Sequence, residues 1–506
     1  MKVSDDLFLL IKSLTQAEKS FFKVYARGKK NHDGETKYVL LFNAINKQKE
    51  YNEQAILIQF KREPFVKQFH VKKHYLFRFI LKSLAAFHLD IEKSANELLH
   101  HARILFQKSM FKQCYKILNK TKQICYQNEK FALLLEGLRI ERNLKLRSNL
   151  KGVRSLEAIY KESSLTIEKI RNINEYLMIL DDLNNELRNF GQIEVNKRFE
   201  SLIRNPMLQK ESSALSFRAK VWFNRILAVY YFAKKNYKKS YLNLSKNLDL
   251  FKNYPSLFKE NPAIILNTHI QLINACLELK NYKEAYNRLE DMRNFGQIIP
   301  SKGVETIQVL FDNSYYEIKL ILCRETAEYK KGIELQPSIT KLIQYNKPEV
   351  PLEYQMEIYY SLAWNYFGNN EYKNALLWID KILNKNKDVR EDIHSWARII
   401  SLIIYYELGN VEMMEAMVKS SRRYFEGAKL FHKVEKAILT FFWRKILISN
   451  SEKGKIIDFK EIKAEINTLF RVEKTSNDFD IISWIESKIE KKSFGEIVRS
   501  KTKYDY

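Results

Sequence analysis

Apolar residues along this 506-residue chain recur every three or four positions, the spacing that lines one face of an α-helix. The clearest stretch reads YYSLAWNYFGNNEYKNALLWIDKILN, Tyr359 to Asn384. Tyr359, Leu362, Ala363 and Tyr366 share one stripe of a first helix, Gly368-Asn369-Asn370 breaks it, and Tyr372, Ala375, Ile379 and Ile382 form the facing stripe of a second. The small residues Ala363 and Ala375 let the two helices approach closely, while the large residues fill the groove beside them.

Four further segments align on the residue that opens a second helix. Leu408-Gly409-Asn410-Val411 is the next turn, with Leu402 and Tyr405 before it and Met414 and Val418 after. Tyr282 follows Leu272 and Cys276 and precedes Ala285, Leu289 and Met292. Tyr237 follows Leu227, Ala228 and Tyr231 and precedes Ser240 and Leu244. Phe111 has Ala102 and Leu105 before it and Cys114 and Leu118 after. This unit resembles the tetratricopeptide repeat. The resemblance implies an all-α, right-handed α-solenoid of irregular helical hairpins, each needing its neighbours to complete a core. Val411 lies 39 residues beyond Tyr372, and Tyr282 lies 45 beyond Tyr237. Regular repeats have a period of about 34, so lengthened helices are expected. Helical stretches without the signature, Ile170 to Leu187 and Asn313 to Glu328, are expected to complete the stack as divergent pairs. The hexapeptide RNFGQI at 188–193 and 293–298 sits in two different helical registers and reads as coincidence.

Residues 1–92 do not follow the repeat and read as a helical module. Thr15 and Glu18 have capping-box spacing for a helix that ends near Gly28, followed by a polar loop to Glu35. Three helices are predicted next: Tyr38 to Gln48, Asn52 to Lys61 with Asn52 as N-cap, and Val66 to His88. Three helices on short turns can form a helix-turn-helix reader of DNA. Lys67, Lys72, Lys73, Arg78 and Lys82 are its candidate phosphate contacts. On a helical wheel, however, Lys67, His74, Arg78 and Lys82 form only a narrow stripe between apolar residues, which predicts a largely buried helix. Residues 93–426 are assigned to the solenoid and 427–506 to a C-terminal helical cap. The cap is predicted to contain helices at Leu430 to Leu447, Phe459 to Arg471 and Asp478 to Ile489. Ser493 and Glu496 are placed to cap a last short helix, before a frayed tail. The opening SLTQAEKSFFKVYA together with the ending FDIISWIESKIEKKSF resembles a group of bacterial tetratricopeptide-type proteins with no assigned activity.

Composition narrows the picture. Only 13 glycines and 8 prolines leave too little turn punctuation for a sheet protein. The apolar run Leu7 to Ile11 is short and flanked by Asp5, Asp6 and Lys12, and no window reaches the ~20 apolar residues of a membrane span. A cytoplasmic protein without membrane contact is the expectation. Cys114, Cys125, Cys276 and Cys323 show no paired spacing, as expected of reduced, packed thiols. The formal charge of +26 suits acidic partners, nucleic acid among them, but it is scattered along the chain without a block of like charges. That distribution favours solvated helix faces over a dedicated nucleic-acid footprint.

No stretch carries catalytic chemistry, and no cofactor is implied. His70 and His74 have zinc-protease spacing, yet the residue after His70 is Val71 and not the required glutamate. His100 and His101 point apart, and Asp181-Asp182 suit a solvated face. Tetratricopeptide arrays hold extended peptides along the groove lined by first helices. Carried over by that resemblance, the groove positions are Asn96, Arg103, Trp222, Arg225, Asn267, Asn274, Tyr360 and Trp364. Asn and Arg suit peptide backbone and carboxylates; Trp222 and Trp364 suit either an apolar anchor or packing between repeats. The expected function is a non-catalytic adaptor or scaffold for a protein or peptide partner. The alternative is a DNA-binding regulator with a helical sensor domain.

Overall fold

A computed structural model describes residues 5–28, 35–87, 91–148, 150–190, 197–254, 257, 262–298, 305–345, 350–386, 389–426, 433–443, 452–473 and 479–502. The described residues are all-α, with no strand among them, and no helix among them is long and apolar enough to cross a membrane. The chain divides into two compact units, Met1–Ile167 and Glu168–Tyr506.

The first unit opens with α1 (Asp6–Ser13), α2 (Gln16–Gly28), α3 (Glu35–Lys47), α4 (Glu53–Gln59) and α5 (Phe69–Phe87). The expected caps are present. The Glu18 carboxylate accepts from the Thr15 backbone N–H at 2.8 Å while the Glu18 N–H donates to Thr15 Oγ1 at 3.2 Å. The Asn52 side chain accepts from the Ala55 N–H at 2.9 Å. Ile11, Phe22, Phe42, Ile45, Leu76 and Ile80 are fully enclosed where α1, α2, α3 and α5 meet. The loop expected after Gly28 falls at 29–34, outside the described residues. Helices α6 (Ile91–Gln107), α7 (Phe111–Gln127) and α8 (Phe131–Arg147) follow and pack on one another.

A buried charge cluster holds α7 to α8. Glu141 has no exposed surface and accepts from Lys122 and from both Nε and Nη2 of Arg154, the latter two at 2.9 and 2.7 Å. Arg154 also pairs with Glu162. Burial alone would raise the Glu141 carboxyl, but the hydrogen bonds and charges of Arg154 and Lys122 outweigh it and hold the group below its ordinary range.

Helix α9 (Leu156–Phe190) is continuous through the stretch 170–187, and the division between the units falls within it. Of the two RNFGQI copies, the first has its end, 191–193, outside the described residues. In the second unit α10 (Lys197–Ile203) precedes α11 (Phe217–Ala233), α12 (Tyr237–Asn253), α13 (Pro262–Glu278), α14 (Tyr282–Ile298) and α15 (Glu305–Glu325). Next come α16 (Tyr329–Ile333), α17 (Gln336–Tyr345), α18 (Leu352–Gly368), α19 (Tyr372–Leu383), α20 (Glu391–Glu407) and α21 (Val411–Glu426). The chain ends in α22 (Lys433–Phe441), α23 (Glu452–Glu473), α24 (Ile481–Glu490) and α25 (Phe494–Lys501). Packing runs mainly between neighbours in sequence, and the first helices α13, α15, α18 and α20 also touch in succession.

One turn recurs at seven hairpins. Ser109, Glu129, Lys235, Lys280, Ala327, Asn370 and Gly409 all have φ between 49 and 67°, and each stands two residues before a helix. The next N–H in each case, from Met110 to Asn410, reaches the carbonyl five residues back at 2.8 to 3.0 Å. This is the 6→1 bond of a Schellman helix end. An aromatic residue opens the following helix in six of the seven, from Phe111 to Tyr372, with Val411 in the last. Three of these rings pack on the ring five residues earlier: Phe106 with Phe111 at 5.7 Å, Phe232 with Tyr237 at 5.1 Å and Phe367 with Tyr372 at 5.4 Å.

The stretch 313–328 contains a hairpin turn at Thr326-Ala327-Glu328, hidden because no glycine marks it. The Gly368-Asn369-Asn370 break lies where the sequence puts it, with the special backbone position at its last residue and not at the glycine. Gly368 is the last residue of α18, and the left-handed position is Asn370. Gly368 lacks a side chain because a Cβ there would come within 2.4 Å of the Tyr329 ring.

The C-terminal helices pack back on α18. Phe479 and Phe494 both lie 5.4 Å from Phe367, and Phe479 lies 4.9 Å from Trp364. Trp484 donates to Glu407 at 2.6 Å. Asp480 caps α24 through the Ser483 N–H, and Ser493 with Glu496 forms the expected capping box. The predicted starts at Leu430 and Asp478 lie outside the described residues, as do 503–506 of the tail.

The two kinds of special position predict opposite responses in urea denaturation. Lys280→Gly relieves a left-handed side-chain-bearing residue on an exposed turn, with a gain of up to about 1 kcal/mol. Gly368→Ala forces the Tyr329 ring aside and costs about 1–3 kcal/mol. Glu141→Gln leaves the buried Lys122 uncompensated and Arg154 with Glu162 alone, at a cost of about 3–5 kcal/mol at neutral pH. Because the folded pKa of Glu141 is depressed, its contribution is complete above the unfolded value of about 4.3 and is lost as pH falls through the lower folded one. The stability gap between wild type and Glu141→Gln therefore closes below about pH 4.

Candidate partner-binding site

The first helices α15, α18 and α20 stand side by side because their apolar faces share one core, in which Leu320, Leu362, Ile399 and Ile403 are fully buried. Their remaining polar faces meet over a cavity of about 150 Å³. Glu317, Ile321 and Arg324 reach it from α15; Glu357, Tyr360 and Ser361 from α18; Asp392, Ile393 and Trp396 from α20, with Arg390 just before that helix. On α15 the three positions are three, four and seven apart, and on α18 and α20 an adjacent pair adds to positions three and four apart, so each set stays on one side of its helix.

Arg390 organises the cavity. Its left-handed backbone, φ 53°, precedes α20. Its guanidinium pairs with Glu357 and donates Nε and Nη2 to Asp392 at 3.0 and 2.7 Å. Burial would raise the Asp392 carboxyl, but these bonds hold it low. Arg324 lies 4.1 Å from the centroid of the Trp364 ring and donates to Glu325 at 3.2 Å. Glu317 differs from the other acids here. It makes no hydrogen bond or ion pair among the described residues. Burial pushes its carboxyl up, and Arg390 and Arg324 pull the other way from a distance.

The groove positions inferred from the repeat resemblance have different surroundings. Tyr360 lines the cavity and is buried; Trp364, one turn further, is packed between Tyr360, Arg324 and Phe479 and faces the core. Trp222 is half-buried against the core around α11, with the Arg225 guanidinium 5.6 Å from its ring. Arg225 Nε is buried without a hydrogen bond, and burial lowers its pKa. Asn267 and Asn274 are half-buried on α13. In the first unit Asn96 is exposed and Arg103 donates to Glu136 at 2.6 Å. Only Tyr360 of this set touches the cavity.

Of the phosphate-contact candidates, Lys73 is buried, pairs with Glu53 and lies 5.6 Å from the centroids of both the Tyr51 and Phe69 rings. Lys72 is half-buried, while Lys67, Arg78 and Lys82 are exposed. The solvent face of α5 is broader than the wheel predicts, since His70, Val71, Tyr75 and Leu81 are exposed beside them. All four cysteines are buried free thiols whose pKa burial raises, Cys114, Cys125 and Cys323 to about 11 and Cys276 to about 12.

Glu317, Arg324, Glu357, Arg390, Asp392 and Trp396 were not legible as a group. Once the turn at Ala327 is missed, Glu305–Glu325 is not recognised as a first helix, and its groove face is never projected beside Tyr360. No protein-family model matches this chain, and a comparison with curated proteins finds no match.

Trp364→Ala is expected to behave as a core truncation, costing about 3–5 kcal/mol in urea denaturation. Arg103→Ala changes stability by less than about 1 kcal/mol, as suits an exposed pair.

Proposed function

We propose that this protein is a non-catalytic, cytoplasmic adaptor that holds an extended peptide or partner segment along the first helices of a right-handed, tetratricopeptide-like stack. The observation that carries this reading is the convergence of three successive first helices on one cavity, where charges of both signs meet Tyr360 and Trp396. Such a mixture fixes orientation through charged hydrogen bonds and supplies apolar contact area. Residues 1–92 then serve as a helical module and 427–506 as a cap that closes the apolar end of the stack.

A second reading, binding of nucleic acid through α5, is favoured by one observation. That helix contains no acidic residue, and its solvent face presents His70, His74, Tyr75, Arg78 and Lys82 next to Lys67. These would contact phosphates without reading sequence.

Affinity capture of the tagged full chain from its own cell extract, with and without nuclease and at two salt concentrations, separates the two. The adaptor reading expects a defined protein partner that survives nuclease. Its recovery should fall about tenfold or more in Arg390→Ala, since the variant removes the charge-assisted hydrogen bonds, each worth about 1.5–3 kcal/mol, that hold Glu357 and Asp392 in place at the cavity wall. It should be unchanged in Arg78→Ala/Lys82→Ala. Loss of everything on nuclease treatment, steep salt sensitivity and dependence on Arg78 and Lys82 would overturn it.

A further inference from the structure

We infer that the cavity between α15, α18 and α20 seats a basic side chain, lysine or arginine, of the bound peptide, with Glu317 as its counter-charge. The inference rests on the groove reading above and adds the chemistry of the partner.

The charges already present decide the sign of the occupant. Three carboxylates, Glu317, Glu357 and Asp392, face two guanidinium groups, Arg324 and Arg390. Arg390 is committed to Glu357 and Asp392, and Arg324 to the Trp364 face and Glu325. Glu317 alone has no hydrogen-bond or ion-pair partner among the described residues. A half-buried carboxylate without a partner gains a charge-assisted hydrogen bond from an incoming ammonium or guanidinium. An acidic side chain would meet three carboxylates and could be paired only by drawing Arg390 or Arg324 away from a carboxylate that it already holds.

Size and wall chemistry agree. About 150 Å³ lies below the roughly 300 Å³ at which pockets for whole small molecules begin, and suits one long side chain. Tyr360 and Trp396 are aromatic walls of the kind that favour a cation over their faces. The chain's overall charge of +26 opposes a basic partner only at long range. Screening over about 8 Å at physiological salt leaves the local acidic excess to decide.

The test passes the full-length protein over immobilised decapeptides, random except for a fixed central arginine, lysine, citrulline or glutamate. Arginine and lysine sets should retain at least tenfold more protein than citrulline or glutamate sets. Glu317→Gln, checked for unchanged helical circular dichroism, should fall to the citrulline level. The arginine-to-citrulline comparison on the unaltered chain needs no variant, so a folding defect cannot mask the answer. Equal retention on all four sets overturns the inference and leaves the groove reading standing. Retention on none of them overturns both.

Discussion

The hydrogen bond from each turn N–H to the carbonyl five residues back is the constraint on which the hairpins depend. It requires one residue in the left-handed conformation, which costs a side-chain-bearing residue about 1–2 kcal/mol. The bond itself contributes about 1 kcal/mol net, and the ring contact across the turn adds about 0.5–1.5 kcal/mol. The terms offset one another at Ser109, Lys235 and Asn370, where the ring contact is present, and Glu129, Lys280 and Ala327 occupy the position without glycine on the hydrogen bond and helix packing. The chain then reverses in three residues, and consecutive helices have no choice but to pack on each other.

Close helix approach in the second unit depends on where side chains are missing as much as on where they fit. Tyr329 opens α16 and lies against Gly368 at the end of α18, with Gly495 of α25 on its other edge. Phe367, Phe479 and Phe494 fill the space that remains. These rings tie the C-terminal helices to the hairpin whose first helix carries Glu357 and Tyr360. The rigidity of that wall of the cavity is therefore set by aromatic packing behind it.

Charge is handled differently in the interior and in the cavity. Glu141 is surrounded by donors that satisfy it, and its carboxyl stays ionised. Glu317 is half-buried without such donors, at a cavity whose Arg390 is already engaged elsewhere. A fully partnered buried charge organises structure, whereas the one left without a partner at the cavity wall is the group with which the proposed basic side chain would pair.

Features confined to a few consecutive residues were legible in the sequence. The caps at Thr15 and Glu18, Asn52, and Ser493 and Glu496 each close within three residues, and the hairpin from Tyr359 to Ile382 follows from periodicity alone. The turns at Glu129 and Ala327 were not legible, because no glycine marks them and the hydrogen bond that closes them runs between backbone atoms, which any residue supplies. Gly368 shows the converse. A glycine beside two asparagines signals a helix stop, yet what requires it is the Tyr329 ring, brought there by the packing of another hairpin. The cavity belongs wholly to the tertiary structure. Glu317, Glu357 and Arg390 lie on or beside three separate helices, and only the register of those helices, set by the core beneath them, brings their charges together.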